Sequence, residues 1–178
     1  MKRTNLLRGA IACFGVAALG LALIFSGCAA RTTTITNLPT GVTTSQVQNW
    51  DSAVKDLATI ATITHTAQQL VTTLHSSTVT VNGTASTVLT GAAYDTLVAD
   101  LAKVDQAQIE ASEFLKTVPQ NWGQSTQTQI AGYITAITAA LADATANGLV
   151  GVKNPSAQAQ LAQFLADIGQ TAALISQL

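Results

Sequence analysis

Two histidines, nine acidic side chains and two cysteines are the residues best able to do chemistry in this 178-residue chain, and their spacing argues against most of it. His65 and His75 lie ten residues apart. On one helix that is about 15 Å along the axis, too far for both to hold one metal ion. Neither belongs to the Glu-x-x-His pattern that a di-metal bundle site uses. Glu110 and Glu113, at i and i+3 beside Lys116, read as a solvated, salt-bridged helix face rather than as a general acid and base. Serines and threonines abound, yet there is no G-x-S-x-G elbow, no S-x-x-K and no G-x-x-x-x-G-K phosphate cradle. The expectation is a non-enzymatic chain with no catalytic residue, no metal and no cofactor.

Four other positions invite a contact rather than a reaction. Gln108 takes a seam place in an otherwise apolar heptad, where a polar group either fixes helix register or meets a ligand. Trp122 lies in a turn between Pro119 and Gly123, as a lid on the end of a helical core or as an anchor for a partner. Trp50 keeps the helical period and reads as core. Asn82-Gly83 sits between alternating β-branched residues, Thr78-Val79-Thr80-Val81 and Thr84-Ala85-Ser86-Thr87-Val88, the strongest short-range signal for a β-hairpin.

The elements that must position these residues are helical. Ser45 with Gln48 forms a capping-box pattern before Val47, Trp50, Val54, Leu57 and Ala61, and the apolar stripe continues to Leu74, which predicts a helix over about 46–76. Tyr94, Leu97, Leu101, Val104, Gln108, Ala111, Leu115 and Val118 alternate steps of three and four. Asp95, Asp100, Lys103, Glu110, Glu113 and Lys116 fall off that seam. Thr126 with Gln129 opens a third helix carrying Ile130, Ile134, Ile137 and Leu141, and Asn147-Gly148 predicts a left-handed stop with Leu149 packing back. Asn154-Pro155 opens a fourth with Asn as cap and Pro in its first turn. Its buried face is Leu161, Phe164, Leu165, Ile168, Ala172 and Ile175. Gly132, Ala136, Ala140 and Ala144 recur every four residues, which reads as ridge packing between alanine-rich helices or as a dimer face. The fold class is all-α: a four-helix, antiparallel up-down bundle with a small β-hairpin between helices 1 and 2.

The amino terminus is of another kind. Lys2, Arg3 and Arg8 precede Ala10–Phe25, a run without charge, and Ser26-Gly27-Cys28 follows. A basic stretch, an apolar stretch shorter than a membrane span and small residues at the cut make a secretory signal. Phe25-Ser26-Gly27-Cys28 resembles the lipobox of bacterial lipoprotein precursors, which reads aliphatic, small, small, cysteine; Phe25 departs from the usual aliphatic residue. The resemblance covers residues 1–28. It implies cleavage between Gly27 and Cys28, with Cys28 lipidated and becoming the first residue of the mature protein. It also implies that Ala29, where an Asp would retain the chain at an inner membrane, sends it to an outer membrane if the host has one.

The expected organisation is a removed signal helix at 1–27, lipidated Cys28 with a flexible tether over 28–44, and a helical domain over 45–178. Removing 27 of 178 residues leaves 151 residues with five basic and nine acidic side chains, net about −4. Cys28 is then the only cysteine and no intramolecular disulfide can form. The tether, with Pro39 and Gly41, spans on the order of 20–25 Å as a coil. A chain 10% charged and net −1 offers nucleic acid no electrostatic footprint. Its outward positions hold Thr, Gln, Ser and Ala, a neutral surface of a kind that meets envelope proteins or polymers. The reading is therefore a cell-envelope lipoprotein held to a bilayer through Cys28, acting as a helical interaction or structural module. The alternatives are a small-molecule or lipid-binding bundle, with ligand among Leu101, Val104, Ile134, Ile137 and Ile168, or an enzyme with a dispersed site.

Overall fold

A computed structural model describes residues 38, 40–81 and 84–178. The expected signal segment with Gly27 and Cys28, most of the expected tether, and the Asn82-Gly83 pair lie outside the described residues. The rest is a bundle of four helices with one hairpin: α1 (Thr44–Ser76), β1 (Thr78–Val81), β2 (Thr84–Thr87), α2 (Gly91–Thr117), α3 (Gln124–Asp143) and α4 (Pro155–Ile175).

Helix α1 begins two residues earlier than the Ser45/Gln48 pattern predicts. Thr43 is the cap: its Oγ1 accepts from the Gln46 N–H at 3.3 Å and Gln46 Oε1 accepts from the Thr43 N–H at 2.9 Å. Both pairs satisfy the capping-box pattern, and the outer one closes around the first free N–H groups. At 33 residues α1 is about 50 Å long. Its far end runs into the hairpin, whose register pairs Val81 with Thr84 and Thr78 with Thr87, a two-residue connection as expected.

The hairpin is fastened at its base. Val88 N–H donates to Ser77 at 2.9 Å and Val88 C=O accepts from Lys153 at 2.8 Å. Leu89 then bridges Val152 in antiparallel fashion. Val88, Leu89 and Val152 are each at most 5% exposed, so the strand that leaves the hairpin also closes the core.

Every neighbouring pair of helices is antiparallel. Trp50 Nε1 donates to the Leu115 carbonyl at 3.2 Å and Asn49 Nδ2 to the Leu178 carbonyl at 2.7 Å, which sets the start of α1 beside the ends of α2 and α4. His75 stacks on Tyr94 at 3.9 Å between ring centroids, joining the end of α1 to the start of α2. The first of these ends is called the proximal pole below, the second the distal pole. Helix α1 packs extensively on α2 and α4, α2 on α3, while α3 and α4 share the loosest seam.

The exits and entrances of α3 differ from expectation. It starts at Gln124 with Gly123 as cap and no side-chain cap bond, and Thr126 is buried at 2% exposure. At its other end no left-handed stop forms. Ala144–Gly148 make a π-helical turn and Leu149–Gly151 a 3₁₀ turn, with Gly148 at φ −82°. Gly148 is needed for space: a β-carbon there would stand 2.5 Å from Leu97 Cγ and Cδ2. Gly151 is similarly closed in by Ala93 and Thr90 Oγ1. Helix α4 starts as expected, with Asn154 Oδ1 accepting from Ser156 and Ala157 at 3.0 and 3.1 Å.

Leu57, Leu101, Ile137 and Ile168 stand in one core at zero exposure, one from each helix. Truncating Leu101 to Ala is expected to cost about 2–5 kcal/mol, read by urea denaturation. Gly151→Ala is expected to cost about 1–3 kcal/mol through overpacking against Ala93 and Thr90. A wild-type unfolding midpoint for Gly151→Ala would show that the closure at the distal pole yields freely.

Candidate functional site

The sequence candidates do not converge. His65 is exposed, with its Nε2 2.9 Å from Gln69 Nε2. His75 is half-buried against Tyr94, and its Nδ1 has no hydrogen-bond partner. Among the described residues no group of three His, Cys, Asp or Glu side chains is placed to hold a metal ion. The salt-bridged face expected of Glu110, Glu113 and Lys116 does not form. Glu110 accepts from Gln106 at 2.6 Å instead, and the ion pair among the described residues is Lys103 with Asp100.

That ion pair corrects another expectation. Asp100, which falls off the α2 seam, is nevertheless only 1% exposed. Helix α2 is covered on two sides, by α1 and by α3, so residues flanking its seam are buried as well. Lys103 Nζ reaches back to Asp100 Oδ1 at 2.7 Å from a largely exposed position, while Oδ2 is buried without a partner. The hydrogen bond and charge of Asp100 hold the Lys103 amine above its ordinary pKa, with Asp143 of α3 adding to the effect. Asp143 in turn accepts from Asn147 inside the π-helical turn. The Lys103–Asp100 pair of α2 thus lies within range of the Asp143 charge at the end of α3.

Gln108 is 7% exposed, and its Nε2 donates to Ser112 Oγ at 2.9 Å one turn along the same helix. Its polar group is thus answered within α2. Trp122 is 3% exposed at the proximal pole, where it acts as the lid over the end of the core. Its indole N–H is buried without an acceptor. Beside it a cleft of about 280 Å³ is lined by Gln127, Thr128, Ile130, Ala131, Ile134, Ile175, Ser176 and Leu178. A shallower furrow follows α3 upward past Ala131, Ile134, Thr135, Thr138, Ala139 and Ala142, with Ser176 of α4 on its other side. Cleft and furrow share Ala131, Ile134 and Ser176 and mark where α3 and α4 part.

The exterior is drier than its composition. Eleven helical threonines turn the hydroxyl back onto the carbonyl four residues earlier, at 2.7–3.0 Å. Such back-bonding satisfies the hydroxyl within the helix. Charge is also unevenly placed. No Asp, Glu, Lys or Arg occurs between Gln124 and Ala142, and α4 carries Asp167 alone. The 124–151 stretch reaches a mean hydropathy of 1.2 over eighteen residues, although only 39% of that window is buried in the bundle. The charge-free run from Gln124 to Ala142 is visible in the sequence; which of its residues face outward depends on the packing.

No protein-family model, no curated protein and no solved structure matches this chain.

Two substitutions test these environments. Trp122→Ala is expected to cost about 3–5 kcal/mol, while Trp122→Phe keeps the lid, removes the unanswered donor and costs less than about 1.5 kcal/mol. Equal losses in urea denaturation would contradict the lid. Partial burial raises the Asp56 carboxyl above its ordinary pKa, against a smaller lowering by Lys55. A raised folded-state pKa means that stability from this group is present below about pH 3.9 and is lost as pH rises through the folded value. Asp56→Asn is therefore expected to unfold at higher denaturant than wild type at pH 7, with the gap closing below about pH 4.

Proposed function

We propose that the protein is a lipid-anchored protein of the bacterial cell envelope, tethered through acylated Cys28 and acting through its helical surface rather than by catalysis. The address rests on Phe25-Ser26-Gly27-Cys28 and the basic and apolar stretches before it. Acyl chains contribute about 0.8 kcal/mol per buried methylene, so several on one cysteine anchor a chain stably. The outer membrane is the proposed location where the host has one.

The observation that carries the interaction reading is a filled core beneath a neutral exterior. Leu101, Val104, Ile134, Ile137 and Ile168, the positions that a ligand between the helices would touch, are at most 6% exposed and belong to one packed cluster. Of these five only Ile134 lines the cleft and the furrow, which open along the α3/α4 seam rather than between all four helices. A tether joined at Thr43 enters at the proximal pole, so the hairpin would stand about 50 Å along α1 from the attachment. A rigid body of this kind suits a protein or polymer partner in the envelope.

Fractionation of cells expressing Cys28→Ser is expected to move the protein out of the membrane pellet or to leave an uncut precursor. Mass spectrometry of the wild-type chain should find the acyl mass on Cys28. Membrane retention with an unmodified cysteine would overturn the anchor.

A further inference from the structure

Four buried side-chain polar atoms find no hydrogen-bond partner among the described residues: Thr64 Oγ1, His75 Nδ1, Asp100 Oδ2 and Trp122 Nε1. The first three line neither the cleft nor the furrow between α3 and α4, whereas Trp122 stands in the wall of the proximal cleft. A buried donor without an acceptor is destabilising, and folded proteins keep few of them. Trp50, the other tryptophan, donates to the Leu115 carbonyl at 3.2 Å. The unanswered indole is therefore particular to the cleft.

The cleft has a deep wall and an open rim. Trp122, Ile130, Ile134 and Ile175 make the wall, each at most 6% exposed. Gln127, Thr128, Ala131 and Ser176 make the rim and are exposed. Its other polar groups are largely engaged. Thr128 Oγ1 donates to the Gln124 carbonyl at 2.9 Å, Ser176 Oγ to the Ala172 carbonyl at 3.3 Å, and the Leu178 carbonyl accepts from Asn49. No lining side chain is ionisable. A mostly apolar hollow with a few placed polar groups is the usual form of a small-molecule site. At about 280 Å³ this one lies just below the usual size range, so its occupant is compact.

We propose that the cleft binds a compact, uncharged, apolar molecule with one carbonyl oxygen. The oxygen accepts from the Trp122 indole N–H, and the hydrocarbon body lies against Ile130, Ile134 and Ile175. A carboxylate or an ammonium would give up water in a cleft with no side chain of opposite charge, which is costly. A pure hydrocarbon would leave the indole unanswered. So would the Leu, Ile or Phe side chain of a partner protein, because none of them carries an acceptor. With the donor in the deep wall, the acceptor has to belong to the inserted body itself, as in a cyclic ketone or a lactone. The site is distinct from the filled space between all four helices. It goes beyond the interaction reading above and does not require acylation of Cys28.

The test uses the full-length chain in phospholipid nanodiscs with isotope-labelled tryptophan, whose NMR spectrum holds one indole N–H signal for Trp122 and one for Trp50. Cyclohexanone is the probe, and a molecule this small is expected to bind in the millimolar range. The Trp122 indole proton is expected to move downfield and saturate as its hydrogen bond forms, while the Trp50 signal stays in place. Cyclohexanecarboxylate and cyclohexylammonium are expected to bind about tenfold more weakly or not at all. Ala131→Leu fills the rim with a good helix former at an exposed position. It is expected to abolish the shift while keeping the wild-type unfolding midpoint, which shows that the bundle is intact. An unmoved Trp122 signal, a parallel drift of both signals without saturation, equal binding of the carboxylate, or a shift unchanged by Ala131→Leu would each overturn the proposal. Anchor failure is read separately from Cys28→Ser fractionation.

Discussion

A helix of 33 residues with one apolar face has to be covered along about 50 Å by helices of 27, 20 and 21 residues, and much of the architecture answers that mismatch. Helices α2 and α4 cover α1 over its proximal and middle parts. At the distal pole the cover is made from short pieces: the base of the hairpin, the π-helical and 3₁₀ turns after α3, and the Leu89–Val152 bridge. Each piece brings in an apolar side chain, Val88, Leu89, Leu149 and Val152, at 8% exposure or less. The π-helical turn widens the chain as it leaves α3, and Gly148 and Gly151 then let it lie close on Leu97 and Ala93. An isolated two-stranded hairpin is marginal in water. This one persists because its exit strand is part of the core closure.

Low charge is the second constraint, and it acts on the surface more than on the fold. With the Lys103–Asp100 pair as the ion pair among the described residues, orientation of the helices rests on packing and caps. Threonine takes the place that Glu and Lys hold on most helical surfaces, and does so without leaving its hydroxyl idle, since the carbonyl one turn back accepts it. The resulting exterior is low in charge outside α2, and many of its threonine hydroxyls are answered within their own helix.

What was legible in the sequence follows from which physical signals are local. The Asn82-Gly83 connection and the Asn154 cap with Pro155 depend on neighbouring residues alone, and the strands and α4 stand where those residues place them. The seam Leu97, Leu101, Val104, Ala111, Leu115 is likewise buried as its period requires. The errors came where two local patterns competed or where packing decided. Thr43/Gln46 and Ser45/Gln48 both satisfy one capping rule. Asn147-Gly148 has the composition of a left-handed stop, yet Gly148 answers to the Leu97 side chain of another helix. Asp100 falls off the seam yet is buried, because α2 is covered on a second side by α3. Of the candidate site, the Phe25-Ser26-Gly27-Cys28 pattern that motivates the proposed anchor is a linear one, while the openness between α3 and α4 depends on how two helices diverge.

The exposed residues Ser125, Thr128, Gly132, Thr135, Ala139 and Ala142 on α3 show how little hydrophobic periodicity says about an exterior face. Hydrophobic pattern searches weight Ile and Leu heavily, so the inner stripe through Ile130, Ile134 and Ile137 dominates any reading of the segment. A stripe of Gly, Ala and back-bonded Thr has little hydropathy contrast with its flanks. Its signal is the absence of bulk, and absence becomes meaningful only once the opposite face is known to be occupied. The packing of α3 supplies that knowledge: with the isoleucines turned inward, the small residues form a continuous, uncharged, low-relief strip on the outside. Close packing depends on dispersion between many atom pairs at short range, and a smooth strip permits more of them per unit length than a crenellated one. The same residues that make the surface look featureless in composition therefore make it smooth in relief.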